Sequence, residues 1–168
     1  MVLDLLVLGL FPGAMAFAAA SDLLTMKISN RLSLGLALAF FPVAYLLGMP
    51  PVDIGYHVLA SAVVLGVCFS FFAMGWIGGG DAKLAAATAL WFGFAHLPQY
   101  LFLAAIIGGI LTLLLLKLRR YPLPVSLVGT RWIERLHAPG TGVPYGIALA
   151  AAALLVYPKT PFIQAIAG

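Results

Sequence analysis

The feature that most limits what this chain can fold into is a succession of long apolar runs, separated by short breaks of charge, proline or glycine. Residues 2–20, 32–49, 57–77, 84–94, 100–118 and 143–157 are the candidate membrane crossings, six in all. Runs of this kind suit a chain that uses the bilayer as solvent and must satisfy its own backbone hydrogen bonds there. A soluble domain is excluded on the same ground: the 168 residues are 64% hydrophobic and 8% charged, against about 25% charged in typical soluble domains. The predicted fold is therefore all-α, a polytopic membrane helix bundle of about six transmembrane helices. No domain boundary or internal repeat interrupts it, so residues 1–168 are read as a single domain. Ala16-Phe17-Ala18 resembles a signal-peptide cleavage site, but a signal needs a basic leading end and the first Lys or Arg is Lys27. The first run is read as a retained helix.

Orientation follows from the cations. With the amino terminus outside, Lys27, Arg31, Lys83, Lys117, Arg119, Arg120, Arg131 and Arg135 fall in cytoplasmic breaks, and only Lys159 lies outside. The breaks at 21–31, 78–83 and 119–142 are then cytoplasmic, and those at 50–56 and 96–99 face the other way. The net charge of +4 is thus accounted for by membrane orientation, with the lipid bilayer as partner and no nucleic acid. Val128, Trp132, Ile133 and Leu136 recur at helical spacing beside Arg131, Glu134 and Arg135. That pattern predicts a short helix lying in the headgroup region. The fourth run is short: a helix over 84–97 rises about 21 Å against a hydrocarbon core of roughly 30 Å. Either the bilayer thins or the helix begins earlier, near Gly78, which draws Asp81 towards membrane depth.

Several residues carry little chemistry by themselves. Cys68 is the only cysteine and lies in an apolar run, so it reads as a small packing residue. His57, His96 and His137 have no ligand partners at metal spacing, and neither a metal nor a cofactor is predicted. Trp76, Trp91 and Trp132 read as boundary anchors or packing. Gly108-Gly109 allows close helix packing against a partner the sequence does not name.

The acids are more informative, because an Asp at the bilayer centre costs about 2.5–3.5 kcal/mol. Asp4, Asp53 and Glu134 fall near helix ends or in polar breaks and are read as solvated or paired. Asp22 and Asp81 are separated by two crossings, which returns the chain to the same membrane face. Asp22 follows the first run, and Gly78-Gly79-Gly80-Asp81-Ala82-Lys83 precedes the fourth. Consecutive glycines reach backbone angles closed to other residues and admit close approach of another chain, as an extended peptide substrate requires. A flexible turn with Asp81 as a helix N-cap, and Ser21 or Asp22 as an interfacial cap, is the alternative.

Asp22 with Lys27, Ile28 and Asn30 at their offsets, and the Gly78-Gly79-Gly80-Asp81-Ala82-Lys83 run, resemble the two aspartate motifs of the type IV prepilin peptidase family, membrane aspartic proteases of the Gly-x-Gly-Asp class. Val143-Pro144-Tyr145-Gly146 resembles that family's Pro-Tyr/Phe-Gly segment, so the likeness runs from the first helix to the last. The resemblance implies Asp22 and Asp81 as the catalytic pair, with Gly78, Gly79, Gly80, Lys83, Lys27, Asn30, Pro144, Tyr145 and Gly146 as motif or substrate-approach residues. It implies a prepilin-like peptide inserted in the membrane as substrate, cut after its short basic leader at the cytoplasmic face of the bacterial inner membrane. Bifunctional members carry a further cytoplasmic segment with paired cysteines; here the first break is short and Cys68 is alone, so methyltransferase activity is not predicted. Presenilin and signal peptide peptidase relatives have about nine crossings and a Pro-Ala-Leu motif, and this chain has neither. The short form resembles the peptidases of tight-adherence (Flp-type) pili, with archaeal preflagellin peptidases as close cousins.

Two carboxylates sharing one proton hydrolyse an amide without a metal. The ionised one takes a proton from the attacking water, and the protonated one bonds the carbonyl oxygen and then helps protonate the leaving nitrogen. Lys27 and Lys83, pointed into such a site, would favour two ionised carboxylates, so their ammonium groups are expected to reach headgroups instead. A small transporter or channel subunit is the rival class, and a non-catalytic assembly subunit with the same motifs is another. Neither needs both acids to cut a peptide.

Overall fold

The structure is a computed structural model, and it describes residues 2–167. Seven α-helices occur among the described residues: α1 Val2–Thr25, α2 Asn30–Leu46, α3 Pro51–Ala73, α4 Gly79–Leu118, α5 Arg131–His137, α6 Tyr145–Val156 and α7 Pro161–Ala167. Three of them, over Leu6–Thr25, Pro51–Ala73 and Gly79–Leu118, are long and apolar enough to cross a membrane. The fold is the expected helical membrane bundle. Local sequence sets the helix starts: the Ser29 hydroxyl caps α2 by accepting the Arg31 amide at 3.2 Å, and Pro51 begins α3 where its missing N–H costs nothing.

Two boundaries differ from the sequence reading. The first run was expected to end at residue 20, with Asp22 in the following break, but α1 continues to Thr25 and carries Asp22 in its last turn. The outer break expected at 96–99 lies within helix, and the chain turns instead at Gly93, whose φ of 56° and ψ of −175° interrupt α4. Asp81 and Thr112 line one cavity, whereas 31 residues of straight helix would set them about 46 Å apart. The chain therefore folds back at Gly93, giving an arm over 79–92 and a returning arm over 94–118. Glycine is required there twice over. Its φ is left-handed, and a Cβ would sit 2.8 Å from Nε2 of His57. The His57 Nδ1–H donates to the Leu90 carbonyl at 2.7 Å just before the turn. His96 and Pro98 look like a loop in sequence, yet both lie within the helix of the returning arm.

The shortness of the fourth run has a packing explanation. Its helix starts at Gly79, and residues 84–93 are all buried; α4 as a whole packs against α2, α3 and α6. Its Ala85, Ala86, Ala87 and Ala89, like Ala148, Ala150, Ala152 and Ala153 of α6, are small buried residues that let helices approach closely. α1 closes the other side of α6.

One end of the bundle is filled with aromatic rings. Phe11 stacks on Tyr157 with centroids 4.3 Å apart, and Trp91 lies 5.0 Å from Phe162 of α7. The Trp91 indole N–H donates to the Leu36 carbonyl at 3.0 Å, and the Tyr157 hydroxyl to the Val7 carbonyl at 2.9 Å. Trp91 is thus a packing residue and not a boundary anchor. Cys68 is half-buried beside the core. A short helix forms in the expected segment as α5, with Val128 left outside it, just after a 3-10 turn over Val125–Leu127.

Candidate active site

Asp22 occupies an electrostatically awkward place. It lies in the last turn of α1, where the helix dipole presents its negative end and no basic residue offsets it. The offset comes from α6. The Gly146 backbone N–H, in that helix's first turn, donates to Asp22 Oδ2 at 2.7 Å, and Asp22 is 5% exposed. Only glycine fits at 146: a Cβ would lie 2.7 Å from both Asp22 Oδ2 and the Ile28 side chain. The exit from α1 is also unusual. The Met26 amide donates to the Asp22 carbonyl at 2.8 Å, and Met26 holds a φ of 55°, rare outside glycine. Arg135 donates to the Leu24 carbonyl at 3.1 Å, satisfying one of the acceptors left open at the end of α1.

Asp81 is the third residue of α4, and the N-cap is Gly78, so Asp81 is not the N-cap of the alternative reading. Its carboxyl lies back towards Gly78, where a Cβ would meet Asp81 Oδ2 at 3.0 Å. The three glycines work differently from the expectation of unusual backbone angles. None of Gly78, Gly79 and Gly80 has a left-handed φ. They serve close approach by this chain's own groups: a Cβ at Gly79 would lie 3.2 Å from the Phe72 ring, and one at Gly80 3.2 Å from the Ile28 Cβ and 3.5 Å from its backbone nitrogen.

The two acids share their surroundings. Both line a cavity of about 720 Å³, walled also by Met26, Trp76, Ile77, Thr112, Gly142, Val143 and Tyr145. Both also line a smaller hollow of about 300 Å³ with Lys27, Gly79 and Gly80. Both lysines are exposed. Lys83 donates to Asn30 Oδ1 at 2.9 Å, joining the start of α4 to that of α2. The Lys27 carbonyl accepts the Ser21 hydroxyl at 2.8 Å. Among the described residues neither acid forms an ion pair with either lysine.

The third motif is brought to the same place. Pro144 is the N-cap of α6, and the Tyr145 hydroxyl donates to the Ala104 carbonyl at 3.1 Å. The Tyr145 ring fills the space a Cβ at Gly108 would need, which supplies the partner left unnamed for Gly108; Gly109 faces open space. Met26, Trp76, Ile77, Thr112 and Gly142 were not singled out as site residues by sequence. Met26 carries no sequence signal, and Trp76 and Ile77 had one only in their position next to the glycines. The histidines lie elsewhere: His96 Nε2 donates to the Lys159 carbonyl and His137 Nε2 to the Tyr121 carbonyl, each at 2.7 Å. No group of three metal-ligating side chains occurs among the described residues.

Fold and site together define a helical membrane protein with two acidic side chains in one cavity at the end of its bundle. The sequence model of the type IV leader peptidase family matches residues 9–113, and the chain belongs to that family. The match includes Asp22 and Asp81 and ends before α6, so the Gly146 contact to Asp22 reaches the matched region from outside it. No curated protein and no solved structure gives a significant match.

Proposed function

We propose that this protein is an aspartic endopeptidase that removes the short basic leader from type IV prepilin-like precursors, of the Flp type, at the cytoplasmic face of the bacterial inner membrane. Asp22 and Asp81 are its catalytic pair. The observation that carries this reading is that the two motif acids, 59 positions apart in a chain with only five acids, line the same cavity.

In this reading a water held between the carboxyls attacks the scissile carbonyl. The ionised carboxyl takes the water's proton, and the protonated one hydrogen-bonds the carbonyl oxygen. The tetrahedral intermediate then collapses as the leaving nitrogen is protonated and the C–N bond breaks. The pair shares one proton and titrates as a unit, so acid and base are not divided between Asp22 and Asp81. The Gly146 amide holds Asp22 Oδ2 in place, leaving the other oxygen for water. Trp76, Ile77, Val143 and Tyr145 give the cavity apolar walls, which suit a peptide entering from a membrane-inserted helix. Asp22 and Asp81 sit at helix ends, at the level where such a substrate helix begins.

The test is cleavage of a leader-bearing, membrane-inserted prepilin-like peptide by purified protein in liposomes. The expected result is a single cut at the leader boundary by the natural sequence and none by Asp22→Asn or Asp81→Asn. Full processing by either variant contradicts the assignment.

A further inference from the structure

One side chain makes four hydrogen bonds into the long segment between α4 and α6. Arg119, the residue that ends α4, donates from Nε to the Leu136 carbonyl at 2.7 Å, from Nη1 to the Thr141 carbonyl at 2.9 Å, and from Nη2 to Thr141 Oγ1 and the Gly142 carbonyl, each at 2.9 Å. Thr141 Oγ1 in turn lies 2.9 Å from the Arg135 carbonyl and 2.7 Å from that of Ala138, the acceptors for its proton. Four bonds from one guanidinium gather three carbonyls and a hydroxyl that have no regular helix partners. The next residues are functional in position. Gly142 and Val143 wall the cavity shared by the two acids, and Gly146 sends its amide to Asp22.

We infer that Arg119, acting with Thr141, is a positioning residue for the peptidase site: its clamp on 136–142 sets where the Gly146 amide meets Asp22 and where the 142–143 wall stands. The inference rests on the proposed aspartyl reading. Arg119 touches no reacting atom, and its effect passes through backbone. A planar fork is needed to meet several acceptors at fixed angles, and a lysine ammonium offers no such geometry.

Two measurements on the full chain in liposomes test it. The first is kcat and KM for leader cleavage, and the second is backbone hydrogen exchange over 141–147. Arg119→Ala and Arg119→Lys are expected to lower kcat by about ten- to a hundredfold with KM changed less than about threefold, since small misplacements near a reacting pair act on the chemical step. Exchange over 141–147 is expected to quicken by about tenfold or more, and to stay unchanged in the buried arm over 79–92. Thr141→Val should act in the same direction, Thr141→Ser, which keeps the hydroxyl, should restore the rate, and Arg131→Ala, an exposed cation outside the clamp, should leave it unaltered. If the Arg119 variants fail to fold, the Thr141 pair decides. Wild-type kcat in Arg119→Ala, a rise in KM alone, or unchanged exchange over 141–147 overturns the inference. An absence of cleavage by the natural sequence overturns the peptidase reading instead, and exchange alone then decides the clamp.

Discussion

The two ends of this bundle are built on opposite principles. At one, Phe11, Phe40, Trp91, Phe92, Tyr100, Tyr157 and Phe162 fill the space between helices with large buried rings. At the other, Gly78, Gly79, Gly80, Gly108 and Gly146 leave out side chains where neighbouring groups come close, and a cavity of about 720 Å³ remains around two acids. The filled end stabilises, by burial and dispersion. The open end accepts awkward chemistry: a carboxylate at the wrong end of a helix, a non-glycine residue with left-handed φ, and a buried acid held by one amide. Such features persist only where a rigid surround holds them, and they collect at functional sites.

The contrast can be broken at either end. The largest effect is expected from Asp22→Asn or Asp81→Asn: a fall in leader cleavage of about 10³-fold or more, with thermal stability held or raised, as is common where function and stability compete. Thermal unfolding in detergent beside a cleavage assay checks both halves. Trp91→Ala should do the reverse, costing about 3–5 kcal/mol of stability through the cavity it leaves, while the folded fraction still cleaves. Unfolding midpoints set against rate per folded molecule separate the two. Gly146→Ala lies between them: a methyl 2.7 Å from Asp22 Oδ2 should cost about 1–3 kcal/mol by overpacking and slow cleavage by about ten- to a hundredfold. Tyr157→Phe, which removes only the hydroxyl bonded to the Val7 carbonyl, should cost about 1 kcal/mol and leave the rate unchanged.

How much of this could be read from the sequence differs between the same two ends. Apolar run length and the breaks between runs sufficed for an all-helical membrane bundle, because a chain in lipid has few other ways to satisfy its backbone. The acids were found because charge is scarce: with five in the chain, each could be asked its purpose. What sequence missed was decided by contacts between distant segments. The space beside the turn at Gly93 is filled by His57, and no local pattern around His96 and Pro98 reveals that. The role of Gly80 depends on Ile28, so glycines that looked like sites of freedom are sites of close packing. Lys83 bonds to Asn30 across 53 positions, a pairing that neither motif announces alone.

The central claim is that Asp22 and Asp81 act as one catalytic unit. Single-turnover cleavage of a membrane-inserted leader peptide by Asp22→Asn, Asp81→Asn and the double variant tests this most directly. Groups that work as a unit give strongly non-additive losses, so each single variant should be as inactive as the double. A single variant that keeps substantial cleavage, with a further large loss only when both acids are replaced, would contradict it.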